Sequence, residues 1–131
     1  MPVKDRKRLI EFWIESSDKD FKTMNNLFKS KDYSWALFVG HLVIEKLLKA
    51  YYIKAIDQNH PFTHNLLNIA LKANLELSDK KKEILDTITT FNLNTRYDNE
   101  KQLFYLKSNR KFTENWIKEI KLARKWIKEK L

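Results

Sequence analysis

The chain has 131 residues with one glycine (Gly40), two prolines (Pro2 and Pro61) and no cysteine, and its 26 basic against 17 acidic residues give a net charge of +9. It reads as a single domain over residues 1–131, large enough for a core without disulfides, and its scarcity of turn residues excludes a β-rich fold of this length. Thiolate metal sites and cysteine nucleophiles are excluded, a reducing cytoplasm is the compatible compartment, and the charge favours an anionic partner such as nucleic acid, a nucleotide or an acidic protein surface.

Met1 to Asp20 is charged throughout and lacks the apolar core of a signal peptide. A first helix is expected from about Asp5 to Ser30, because Ile10, Trp13, Ser17, Phe21, Met24 and Leu27 recur every three or four residues. Ser17 is small enough within that stripe to let a neighbouring helix approach. Lys31-Asp32 offers a short turn, with Asp32 or Ser34 as a cap for a second helix from about Tyr33 to Ile56. Two long helices joined so tightly must pack antiparallel.

The second helix is apolar on almost every side and reads as the central helix of the fold. His41, Glu45, Lys46 and Lys49 interrupt its apolar run, which argues against a membrane span. His41, Glu45, Lys49 and Tyr52 follow steps of four, four and three, so they form one polar stripe. That stripe is either a salt-bridged strip or the wall of a ligand cleft, and Glu45 and Lys49 are ordered as a favourable ion pair.

After the polar turn from Asp57 to Phe62, Thr63 can cap a third helix from about His64 to Asn74 with Leu66, Leu67, Ile69 and Ala70 on its apolar side. His64 at that helix start could be a cap, a core residue or a phosphate contact. Ser78 opens a fourth helix, Asp79 to about Phe91, with Ile84, Leu85, Ile88 and Phe91 as its core stripe. Residues 92–108 show no clean period and read as irregular, and a last helix follows from Asn109 to Lys130 through Trp116, Ile120, Ala123 and Ile127. The expected fold is therefore all-α, a five-helix up-and-down bundle built on a long antiparallel helical hairpin. The densest basic group, including Lys118, Lys121, Arg124, Lys125 and Lys128, falls on the last helix, either as a solvated face or as a nucleic-acid surface.

Arg96 and Tyr97 lie in the irregular stretch, where the guanidinium could fork onto phosphate and the tyrosine could stack a base. Arg96 could equally pair with Glu45 or another carboxylate to tie the loop down. No glycine-rich phosphate loop, zinc-ligand spacing or Ser-His-Asp order is present, and neither a metal nor a cofactor is expected.

Several of these residues together resemble the HEPN family of small helical domains, encoded in many prokaryotes beside minimal nucleotidyltransferases. They are Trp13, Ser17 and Asp20 on the first helix and Ala36 with His41-x-x-x-Glu45-Lys46-x-x-Lys49-Ala50 on the second. Thr63-His64-x-Leu66 and Thr95-Arg96-Tyr97 complete the set. The resemblance implies a homodimer, a nucleotidyltransferase partner in a toxin–antitoxin-like two-component system, and a cleft that binds a nucleotide. Carried over by position, the ligand-binding candidates are Glu45, Lys46, Lys49, His64, Arg96 and Tyr97, with His41 and Tyr52 as secondary candidates. Many members of the family are metal-independent ribonucleases that use an arginine followed four to six residues later by histidine. Here Arg96 is followed by Tyr97-Asp98-Asn99-Glu100-Lys101-Gln102 and all three histidines lie upstream, so a non-catalytic module is expected. The alternatives are a ribonuclease toxin with a divergent site, using His41 or His64 with Arg96, and a basic RNA- or DNA-binding protein acting through its lysines.

Overall fold

A computed structural model describes residues 3–131; Met1 and Pro2, the first residues of the expected domain, lie outside the described residues. The described residues form six α-helices, one 3₁₀ turn and no strand. The helices are α1 (Val3–Lys29), α2 (Tyr33–Ala55), α3 (Leu66–Lys72), α4 (Asp79–Thr89), α5 (Asp98–Lys107) and α6 (Arg110–Lys128), with the 3₁₀ turn at Leu93–Thr95.

The hairpin of α1 and α2 is antiparallel. The Arg6 guanidinium at one end donates to the carbonyls of Ile53 and Lys54 at 2.7 and 2.8 Å, and Ser17 near the middle donates to that of Val43 at 2.7 Å. Ser17 is fully buried, so its smallness lets the helices close while its hydroxyl takes up a carbonyl in the interface. The turn between them depends on Lys31, which at φ 67° is left-handed. Lys31 N–H bonds the Phe28 carbonyl and Asp32 N–H that of Leu27, the paired bonds that close a helix C-terminus without glycine. Asp32 takes the N-cap position of α2 but makes no side-chain cap bond.

α2 is the core of the molecule and packs against every other helix. Buried positions fall on all its sides, Leu37, Val43, Ile44, Leu47, Leu48 and Ile53 among them. Gly40 is where α1 and α6 close in: a Cβ there would stand 2.6 Å from Ile120 Cδ1 and 3.1 Å from Met24 Sδ. α6 runs parallel to α2, whose Lys54 ammonium donates to the carbonyls of Lys130 and Leu131. It runs antiparallel to α1, with Arg124 and Lys128 on Asp18 at 3.1 and 2.9 Å.

The structure departs from the five-helix expectation at residues 92–108, where α5 forms. Its periodicity is faint because Phe104 is its one buried residue, leaving no apolar stripe to read. Asp98 and Glu100 in its first turn and Lys107 in its last complement the helix dipole instead. The extra helix also changes the sense of the last one: in a five-helix alternation the final helix would run with α1, whereas α6 runs against it. α3 begins later than expected. Asn65 is its cap, accepting from Asn68 N–H, and Thr63 Oγ1 accepts from Asn65 N–H. Ser78 caps α4, the helix it was expected to open, and Asn109, expected as the first residue of the last helix, is instead the N-cap of α6.

Candidate functional site

Steps of four along α2 bring His41, Glu45 and Lys49 to one face, and the loop between α2 and α3 folds over them. Glu45 is only 4% exposed. One carboxylate oxygen accepts from His64 Nδ1 at 2.7 Å and the other from Lys49 Nζ at 3.0 Å, and His41 Nε2 stands 3.8 Å from the first. Burial pushes the Glu45 carboxyl up, but the hydrogen bonds from His64 and Lys49 outweigh it, so the group lies below its ordinary 4.5 and is ionised.

His41 is fully buried, and that burial holds its imidazole below 6.5 and therefore neutral. Its Nε2 lies 3.0 Å from the His64 carbonyl, a contact that requires the Nε2–H tautomer and makes Nδ1 a bare acceptor, buried without a partner. One element of α2 thus holds His64 twice, by its ring through Glu45 and by its backbone through His41. With α3 starting only at Leu66, His64 does not sit in a helix N-terminus, and the anion-site argument from the helix end lapses.

The chain's remaining histidine joins the same region. His60 packs edge-on to Trp13 with centroids 5.5 Å apart, and Lys49 Nζ lies 5.1 Å above the Trp13 ring. Phe12 and Phe62 extend this row from either end, at 5.4 Å from Trp13 and 5.7 Å from His60. Phe62 is 99% exposed. The Glu45 carboxylate is already occupied by protein donors. What faces outward is the 57% exposed His64 side chain, beside Lys49 and the aromatic row. Trp13, His60 and Phe62 escaped the site reading; His60-Pro61-Phe62 beside His64 was the available signal, but its link to Trp13 is purely spatial.

The other candidates lie apart from this cluster. Lys46 pairs with Asp20 at 2.6 Å and so ties α2 to α1, while Tyr52 packs against the hydrophobic core. Arg96 neither pairs with Glu45 nor binds another carboxylate: both its Nε and one terminal nitrogen donate to the Thr90 carbonyl at the end of α4, and its guanidinium lies 5.2 Å from the Phe104 ring. Two donors already serve the Glu45 carboxylate, whereas the end of α4 leaves carbonyls without helical partners, so the arginine caps the nearer need. Arg96 lines a separate groove of about 290 Å³ with Thr87, Phe104, Lys107 and Trp116. Tyr97 is exposed at the N-cap of α5. On α6, Arg124 and Lys128 are engaged by Asp18, and Lys118, Lys121 and Lys125 remain exposed.

Among the described residues no group of three or more histidines and carboxylates is placed to hold a metal ion, and no helix is long and apolar enough to cross a membrane. No curated protein and no solved structure matches the chain. The HEPN domain model matches residues 10–130, from within α1 to the penultimate residue, and on that match over nearly the whole chain this protein belongs to the HEPN domain family.

Proposed function

We propose that this protein is a non-catalytic HEPN module that binds a nucleotide through the surface around His64 and acts with a nucleotidyltransferase in a two-component, toxin–antitoxin-like system. Family membership suggests a nucleotide-binding or ribonuclease-like module. The observation that carries the binding reading is the imidazole of His64: its Nδ1 is fixed on a buried carboxylate while more than half of the side chain remains open to solvent. Such a held ring presents Nε2 in a fixed direction: the neutral ring accepts there from a nucleotide hydroxyl or amine, and the imidazolium donates there to a phosphate oxygen. Lys49 stands beside it, and the exposed ring of Phe62, two residues away, offers a stacking face for a base.

The test is thermal unfolding with ATP, GTP, their monophosphates and short RNA. A ligand that binds only the folded state raises the melting temperature. A shift with one of these that is lost in His64→Ala and in Lys49→Ala, and kept in Arg96→Ala, supports the reading; a shift that depends on Arg96 and not on His64 overturns it. The same held imidazole favours one second reading, a ribonuclease whose proton carrier is His64 in place of the missing downstream histidine. RNA degradation in the presence of EDTA, abolished by His64→Ala, would establish it.

A further inference from the structure

Two cations of this chain stand where local energetics disfavours them. Lys31 holds a left-handed backbone, φ 67°, in the turn that closes α1, where glycine or asparagine is the usual occupant. Arg110 is the first residue of α6, at the positive end of that helix's dipole, and no acidic residue in the first turn offsets it. Nothing inside the protein compensates either placement: both residues are exposed, and the six ion pairs among the described residues all use other groups. Because α6 runs antiparallel to α1, its start lies beside the end of α1. There Lys31 and Arg110 line a groove of about 250 Å³ together with Lys29, Phe28 and Tyr33. No acidic side chain lines it, and the adjoining Asp32 carboxylate accepts instead from Ser30 Oγ at 2.5 Å. Phe28 and Tyr33 are half-buried with ring centroids 5.6 Å apart, which gives the groove an aromatic side. Three like charges gathered without a counter-ion repel one another. An anion held among them removes that repulsion and also offsets the misplaced charge of Arg110, and unfavourable local choices that meet at one place are the mark of a site.

We infer that this groove binds a terminal phosphate group, that of inorganic phosphate or of a small phosphate monoester. A terminal phosphate brings a charge of about −1.5 to −2 and three acceptor oxygens at neutral pH. Arg110 supplies a planar fork, and Lys29 and Lys31 supply two mobile point charges, so each oxygen has a donor of its own. A phosphodiester carries a single charge on two free oxygens and leaves one of the three cations unmatched, which sets this groove apart from a track for a nucleic-acid backbone. The rings of Phe28 and Tyr33 give the organic part of an ester a surface to pack on, so of the two sources the monoester is the better fit. Glu45, Lys49 and His64 do not line this groove, and the inference is independent of the ligand reading at His64.

Titration calorimetry of the full chain at low ionic strength tests it, with phenyl phosphate, inorganic phosphate and diphenyl phosphate as the three probes. Phenyl phosphate should bind, and Lys31→Gly should raise its Kd roughly tenfold or more while the ligand-free variant melts no lower than the wild type, because glycine suits the left-handed backbone. Lost affinity without lost stability separates a ligand contact from a structural role. Arg110→Gln should weaken binding to a similar degree, and His64→Ala should leave it unchanged. Inorganic phosphate bound as tightly as phenyl phosphate assigns the free ion as the ligand, and weaker binding of it assigns the organic ester. The inference is overturned if neither binds, if Lys31→Gly or Arg110→Gln leaves the affinity intact, if diphenyl phosphate binds as well as the monoester, or if His64→Ala abolishes binding.

Discussion

Replacing Glu45 by glutamine keeps the volume of a buried side chain and removes its charge. The carboxylate serves two donors, His64 Nδ1 at 2.7 Å and Lys49 Nζ at 3.0 Å. The amide has one oxygen to offer and must turn its own N–H₂ toward the other donor. The Lys49 side chain, 12% exposed, then loses its counter-charge in a place where water reaches it poorly. A hydrogen bond to a charged group contributes about 1.5–3 kcal/mol, and removing one partner of a fully buried pair costs about 3–5 kcal/mol. The His64 ring is more than half exposed, so its share is discounted toward surface values, which leaves about 2–3 kcal/mol for the substitution. For a chain of this length about 4 °C accompanies each kcal/mol, so the melting temperature of Glu45→Gln should fall by about 8–12 °C. Thermal unfolding followed by circular dichroism measures it. Amide exchange adds the location: the loop at 57–65 should exchange faster in the variant, while amides near Ser17 and Val43 keep their protection. An unchanged or raised melting temperature would refute the reasoning, because the desolvation of Glu45 would then cancel all that its partners contribute.

His41 makes stability depend on pH. Its folded value lies below 6.5, so the unfolded chain takes up that proton first. Stability is therefore complete above pH 6.5 and declines as the pH falls from there, with Glu45, held below 4.5, adding a second loss under that pH. His41→Gln should flatten the decline of the melting temperature that sets in below pH 6.5 and leave the further loss below 4.5; a wild-type curve flat from pH 6.5 down to 4.5 contradicts the assignment. Gly40→Ala gains up to about 1 kcal/mol of helix propensity but overpacks the junction with Ile120 and Met24 at a cost of about 1–3 kcal/mol, so it should destabilise by about 1 kcal/mol. Ile120→Val removes the Cδ1 that the new methyl meets, and chemical denaturation of the double variant should show a coupling of about 1 kcal/mol in favour of the pair; strict additivity would mean that the clash is relieved elsewhere. Lys31→Gly relieves a left-handed residue at the end of α1 and, after the added freedom of the unfolded chain, should stabilise by about 0.5 kcal/mol in urea titrations.

The legibility of this chain follows burial. α1, α2, α4 and α6 each bury one or more sides, and a buried side leaves a period that can be read. Ser17 could be placed in the α1–α2 interface and Ser78 at a cap for the same reason, since a small or hydroxyl-bearing residue in a known pattern has few roles. α5 buries one side chain and so wrote no period, and the helix count and the direction of α6 went wrong with it. The site divides in the same way. His41, Glu45 and Lys49 meet because helical spacing alone dictates it, and His64 joins them because a buried carboxylate needs donors beyond one lysine. The destination of Arg96 was beyond spacing: its guanidinium meets the Thr90 carbonyl six residues back rather than a carboxylate on another helix. Local backbone ends compete for arginines as effectively as charges do, and a residue carried over from a family motif can keep its identity while its guanidinium serves the fold.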